Sequence, residues 1–99
     1  MNEKILSYLG ICRRAGRLTL GFDACVDAVE RKKSRLVLLS NDISPRTQRN
    51  IIREAEKNKV RVLVTDFDME QIGMAVGKKT GVISVNDDGF AKKLTELAE

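Results

Sequence analysis

The sequence predicts an α/β fold: a three-layer α/β/α sandwich in which a small mixed β-sheet is flanked by helices on both faces. Three observations point to it. Leu36-Val37-Leu38-Leu39 is an unbroken apolar run of strand length, the pattern of a central strand covered on both sides rather than one facing water. Val62-Leu63-Val64 and Val82-Ile83-Ser84-Val85 read as a second buried strand and a third strand. Segments with apolar residues at helical spacing alternate with these runs, so helices must cover both faces of the sheet.

The elements follow in order. Ile5, Tyr8, Leu9 and Cys12 repeat at helical spacing, Arg13, Arg14 and Arg17 lie to the other side, and Gly16 supplies a left-handed stop. After a short extended piece, Leu18-Thr19-Leu20, a second helix opens at Gly21 with Phe22, Cys25, Val26 and Val29 as its apolar stripe. Asp23, Asp27 and Glu30 lie on a neighbouring face, and Arg31-Lys32-Lys33 suits the negative end of the helix. Ser44 followed by Pro45 is a cap and first-turn proline, with Ile51, Ile52 and Ala55 on the buried side and Arg46, Arg49, Arg53 and Lys57 opposite. Asp68 to Val76 reads as a short helix stopped near Gly77, and Asp87-Asp88-Gly89 leads into a last helix carrying Phe90, Leu94 and Leu97.

Ninety-nine residues suit one domain with one core, residues 1–99, and nothing suggests an internal repeat or linker. No apolar run approaches the roughly 18 to 20 residues that span a bilayer, and no signal-peptide pattern precedes the first helix, so the protein is expected in the cytoplasm. Cys12 and Cys25 fall on apolar helix faces, where a free thiol behaves as a small hydrophobe. With no histidine and no clustered cysteines, a metal site is not expected. The net charge of +4 is unevenly placed: residues 1–61 hold 14 Lys and Arg against 7 Asp and Glu, and residues 62–99 hold 4 against 7. The basic half suits a polyanionic partner.

Several motifs reduce to structure. Gly73-x-x-x-Gly77-Lys78-Lys79-Thr80 superficially resembles a phosphate-binding loop, but its glycines are one residue too close and it follows a helix rather than a strand. A helix packed on the sheet through Gly73 and ended by Gly77 explains it. Asp66 with Asp68, and Asp87 with Asp88, are carboxylate pairs that capping and turn chemistry accounts for. No histidine is present to activate a serine, and neither cysteine has a motif around it, so an enzyme is not expected and no cofactor is implied. With only three Phe and one Tyr, most on core stripes, stacking of an unpaired nucleic-acid strand lacks a platform.

Five motifs in order tie the chain to a family. They are Leu9-Gly10-Ile11-Cys12-Arg13-Arg14-Ala15-Gly16-Arg17-Leu18; Gly21 with Asp23; Leu36 to Ser44 with Thr47; Gly73-x-Ala75-x-Gly77-Lys78; and Asp88-Gly89-Phe90-Ala91-Lys92-Lys93-Leu94. In their order and spacing the chain resembles the bacterial YlxQ-type members of the kink-turn-binding ribosomal protein superfamily, of L-seven-Ae and L-thirty-e type. The resemblance implies an α/β/α sandwich whose second-helix start, with the loop before the last strand, grips a sharply bent RNA duplex. In that family the helix start presents Gly, a polar pair and a Lys one turn later to the guanines of tandem sheared G·A pairs. By position these are Gly21, Asp23, Ala24 and Asp27. The late loop corresponds to Lys78, Lys79, Thr80, Gly81 and Val82, which would cover bases flipped or stacked at the bend. The Asn41-Asp42 loop, Arg17 and Arg46 complete the expected RNA-binding set, with Arg13, Arg14 and Lys32 as further phosphate contacts.

The departures from the family pattern have physical consequences. Asp23 can still accept from guanine imino or amino groups, whereas Ala24 can accept nothing. Asp27 puts an anion where the family has a cation, at about 1 to 3 kcal/mol on the scale of a lost base contact. The late loop is more polar than the proline-containing loop of strong kink-turn binders. The expectation is therefore a non-catalytic, monomeric binder of structured RNA, in ribosomal RNA or a messenger leader, with retuned recognition. The alternative is a protein-interaction or assembly module of the translation apparatus that has lost RNA specificity. An outlying reading is a small enzyme or phosphate-ligand domain using the helix starts after Gly21 and Ser44.

Overall fold

The residues expected to start and stop helices do so in the computed structural model, which describes residues 1–99. Helix α1 (Lys4–Arg14) ends before Gly16, whose φ of 73° is the left-handed stop, and strand β1 (Leu18–Leu20) follows. Helix α2 (Phe22–Glu30) begins after Gly21 and leads to strand β2 (Leu36–Leu39). Ser44 caps helix α3 (Pro45–Lys57) by accepting from the Thr47 amide, and strand β3 (Val62–Val64) follows. Helix α4 (Met69–Val76) starts in a reciprocal capping box between Asp68 and Gln71 and ends at left-handed Gly77. Strand β4 (Val82–Val85) precedes helix α5 (Asp88–Ala98), capped by Asp87 accepting from the Phe90 amide. No helix is long and apolar enough to cross a membrane.

The sheet order is β1-β4-β2-β3, with β2 and β3 parallel and β4 antiparallel to both β1 and β2. Two expectations need correction here. Leu18–Leu20 is a true edge strand, paired Leu18 to Val85 and Leu20 to Ile83; three residues without alternation show no strand pattern until a partner is present. Val62–Val64 was expected to be buried, yet it is the other edge, and Val64 is 45% exposed. An apolar run reports burial of one face or two with equal ease.

The single core expected from the chain length is in fact two, because side chains of the central strands alternate between the two faces of the sheet. Leu36, Leu38, Ile83 and Val85 pack with Ile5, Leu9, Ile72 and Leu94 of α1, α4 and α5. Val37, Leu39 and Val82 face the other way, onto Cys25, Val29 and Ile51 of α2 and α3. Each large aliphatic side chain fully buried this way contributes about 1.5 to 3 kcal/mol. The topology has one consequence for function: β1 ends, β2 ends and β4 begins at the same end of the sheet, so Gly21, the Asn41–Ser44 loop and Gly81 converge there.

Candidate functional site

Gly21 sets the geometry of that end. With φ 96° and ψ 154° it occupies a region closed to residues with a Cβ, and from there it turns the chain from β1 into α2. Its own amide donates to the Val82 carbonyl at 2.9 Å. Glycine has no side chain with which to cap, so α2 begins with no side-chain hydrogen bond to its first-turn amides. Asp23 and Ala24 stand exposed on that first turn. Asp27, one turn on, is exposed but engaged: its Oδ1 accepts from Arg31 Nε at 2.9 Å, and that bond raises the affinity of the Arg31 guanidinium for its proton.

Beside the α2 start lies a cavity of about 260 Å³. Phe22, Ile43, Met69 and Val82 form its apolar lining, and Asp42, Ser44 and Thr47 its polar edge. These apolar four do not stand out as a group in the sequence, although three of them carry a signal by standing directly beside a cap, Phe22 after Gly21, Ile43 before Ser44 and Met69 after Asp68. Gly81 closes one wall. A Cβ there would overlap Ile43 Cγ2 and stand 3.0 Å from Ser40 Oγ, a fully buried hydroxyl without a hydrogen-bond partner.

The expected site residues divide into four groups. Gly21, Asp23, Ala24, Asp27, Arg46, Lys78, Lys79 and Gly81 come from the α2 start, the first turn of α3 and the α4–β4 loop, and the side chains of Lys78, Lys79 and Arg46 are exposed. Thr80 and Val82 belong to the loop but are buried, so their side chains do not form the outer surface the resemblance implied. Thr80 Oγ1 donates to the Val82 carbonyl at 3.0 Å, which holds the loop closed. Asn41 and Asp42 are structural ties: Asn41 Nδ2 donates to the Asp66 carbonyl at 3.0 Å, and Asp42 Oδ1 accepts from the Met69 amide at 3.1 Å. Arg17 is not brought to the cavity. It precedes β1 and its carbonyl accepts from Asn86 after β4, at the opposite end of the sheet; Lys32 lies at the far end of α2, donating to Asn58 Oδ1.

Gly73 also departs from expectation. A Cβ on it would stand 2.7 Å from Lys79 Cα, so this glycine packs against the loop that follows α4, not against the sheet. Asp68 and Asp87 are caps, whereas Asp66 instead pairs with the amino terminus at 3.0 Å. No three His, Cys, Asp or Glu side chains converge as metal ligands would. Cys12 and Cys25 are buried free thiols. Burial is the main cause that pushes Cys12 up to about 11 and Cys25 to about 12, leaving both un-ionised and poor nucleophiles near neutral pH. A larger depression, about 540 Å³, lies on the other face of the molecule between α1 and α4, where Met74 is 89% exposed.

Comparison with known proteins places this geometry in context. The profile of the family described as ribosomal protein L7Ae/L30e/S12e/Gadd45 matches residues 3–95. The chain is 29% identical to the RNA-binding protein YlxQ of Enterococcus faecium, over 98% of this chain and 93% of that one. It is also 29% identical to the large ribosomal subunit protein eL30 of Candida glabrata, over 97% of this chain and 93% of its relative. A solved structure of a Bacillus halodurans protein of unknown function superposes with a TM-score of 0.91 at 35% identity, covering 95% of each chain. The 15.5kD RNA binding protein of Giardia lamblia superposes with a TM-score of 0.81 at 19% identity, over 98% of this chain and 87% of that one, and shares the fold.

Proposed function

The chain belongs to the ribosomal protein L7Ae/L30e/S12e/Gadd45 family, and from that premise we propose that it binds structured RNA, without catalysis, at the α2 end of its sheet. The preferred target is a kink-turn or a related bent duplex, in ribosomal RNA or a messenger leader. The observation on which the reading rests is a juxtaposition: the uncapped start of α2 and the end of the late loop, Gly81 and Val82, flank one cavity with an apolar lining. First-turn amides with no protein partner suit phosphate or base acceptors. A lining of Phe22, Ile43, Met69 and Val82 suits the flat face of an extruded base, and Asp42, Ser44 and Thr47 offer hydrogen bonds to its edge. Arg46, between Ser44 and Thr47 of the polar edge, supplies exposed positive charge at the rim, and Lys78 and Lys79 are exposed along a separate depression lined with Glu70, Gly73 and Gly77. The names of the relatives in YlxQ and eL30 agree with this chemistry. The protein is not an enzyme, and we place its action in the cytoplasm as a monomer.

The test is binding to a kink-turn RNA and to the same duplex with its tandem G·A pairs replaced, at low and moderate salt. The expected result is selective binding of the kink-turn that survives moderate salt. Equal, salt-labile binding of both would leave only the basic surface acting and would sink the reading.

A second reading has its own observation. Ala24 cannot accept a hydrogen bond and Asp27 is already paired with Arg31, while Met74 and the depression between α1 and α4 offer apolar surface to a protein. On this reading the chain is an assembly module of the translation apparatus with weakened RNA specificity. Capture of a partner that withstands nuclease would support it, and loss of every partner after nuclease would remove it.

A further inference from the structure

We infer that α3 carries a phosphate-tracking rail along which one duplex arm of a bound RNA leaves the candidate site. This deepens the RNA-binding reading above and rests on it. Arg46, Arg49, Arg53 and Lys57 recur at spacings of three and four residues, forming one exposed row opposite buried Ile51 and Ala55. At 1.5 Å per residue the row is about 16 Å long. Arg46, Arg49 and Arg53 take part in none of the protein's four ion pairs, and only Lys57 is engaged, with Glu54 at 3.4 Å.

The neighbouring helix gives the row its direction. Both α2 and α3 begin at the rim of the cavity, through Gly21 and Phe22 and through Ser44 and Thr47. Their far ends meet where Lys32 Nζ donates to Asn58 Oδ1 at 2.7 Å. The two helices therefore run side by side away from the cavity. On α2 the exposed row is Asp23, Asp27 and Glu30, and none of these acids comes within ion-pairing distance of an α3 arginine. Packed helices lie about 8 to 10 Å apart, comparable with the screening length of about 8 to 10 Å near physiological salt. A polyanion seated at the cavity thus meets repulsion along α2 and attraction along α3, and its arm is steered onto the arginine row. A merely solvated face would require neither the start at the cavity rim nor an adjacent row of opposite sign whose acids leave the α3 arginines unpaired.

The test uses the full chain, its Arg49→Gln/Arg53→Gln variant and a kink-turn RNA with both duplex arms, together with two shortened RNAs lacking most of one arm or the other. Both positions are exposed, and matching thermal melts check that the variant folds. On the complete RNA the slope of log affinity against log salt should fall by about 1.4 to 1.8 for two lost phosphate contacts. One shortened RNA should abolish that difference and the other preserve it. An unchanged slope on the complete RNA, with wild type still selecting the kink-turn, overturns the rail and leaves the functional reading standing; loss of an acidic protein partner from such a variant would reassign the row to protein. A slope change that persists on both shortened RNAs means diffuse charge and also overturns it. Wild type that does not select the kink-turn overturns the functional reading and the rail together.

Discussion

The Gly21 amide donates to the Val82 carbonyl at 2.9 Å, joining the start of α2 to the strand that follows the late loop. The same carbonyl lies within reach of the Thr80 hydroxyl at 3.0 Å and the Cys25 thiol at 3.6 Å. A carbonyl has two lone pairs, and the thiol has the Thr19 carbonyl at 3.3 Å as an alternative. One backbone acceptor on β4 therefore sets the separation between the two walls of the candidate site. Changes on either wall should be felt by the other.

Gly21→Ala should destabilise the protein by about 1 to 3 kcal/mol, the range for a residue with a Cβ forced into this backbone region. A Cβ there would meet no atom within 4 Å, so the cost is conformational rather than steric. Urea unfolding measures it as a lower midpoint. An unchanged midpoint would mean that the positive φ at this turn is not enforced.

Gly73→Ala tests the other wall. Its Cβ would stand 2.7 Å from Lys79 Cα and 3.0 Å from Lys79 N, backbone atoms that cannot rotate away. Overpacking of this kind costs about 1 to 3 kcal/mol. Amide chemical shifts should move most over Lys78 to Gly81, with weaker RNA binding as the consequence. Shifts confined to α4 would show that the helix, not the loop, yields.

The thiols give a pH dependence of definite sign. Cys12 and Cys25 are raised from 9.0 to about 11 and about 12, so their neutral forms are favoured in the folded state. Their contribution is fully present below pH 9, falls as the unfolded chain begins to ionise there, and is lost by about pH 12. Stability should therefore be insensitive to these groups near neutrality and decline through the alkaline range. Substituting both by Ala should flatten that decline at some cost from lost packing. Thiol-reactive dyes should label the native protein only as it opens, and rapid labelling at pH 7 would contradict the burial of both side chains.

Asp27→Lys should tighten binding to a kink-turn RNA by about 5- to 150-fold, the scale of one good base contact. The substitution also breaks the Asp27–Arg31 pair, but both side chains are more than 60% exposed, and such pairs contribute little to stability. Equal affinity of the two proteins across a salt series would show that this position does not face the RNA.

The sequence by itself determined the order of the elements and most of their ends. Gly16 and Gly77 stop helices because they can enter the left-handed region, and Ser44, Asp68 and Asp87 start them because their side chains satisfy free amides. These are local effects, decided within a turn of chain, and the sandwich of helices on both faces followed from the unbroken apolar run at Leu36–Leu39, although the division of the interior into two cores did not. Tertiary structure alone decided that Leu18–Leu20 is a strand, that β3 lies at an edge, and that Thr80 and Val82 turn inward while Lys78 and Lys79 face out. It also decided that Arg17 sits at the wrong end of the sheet to join Gly21, and that the α3 arginines stay unpaired beside an acidic row on α2. Each of these depends on which distant segment arrives as neighbour, and hydrogen bonds between strands, steric contact at a glycine and ion pairing are properties of pairs that a single position in the chain does not record.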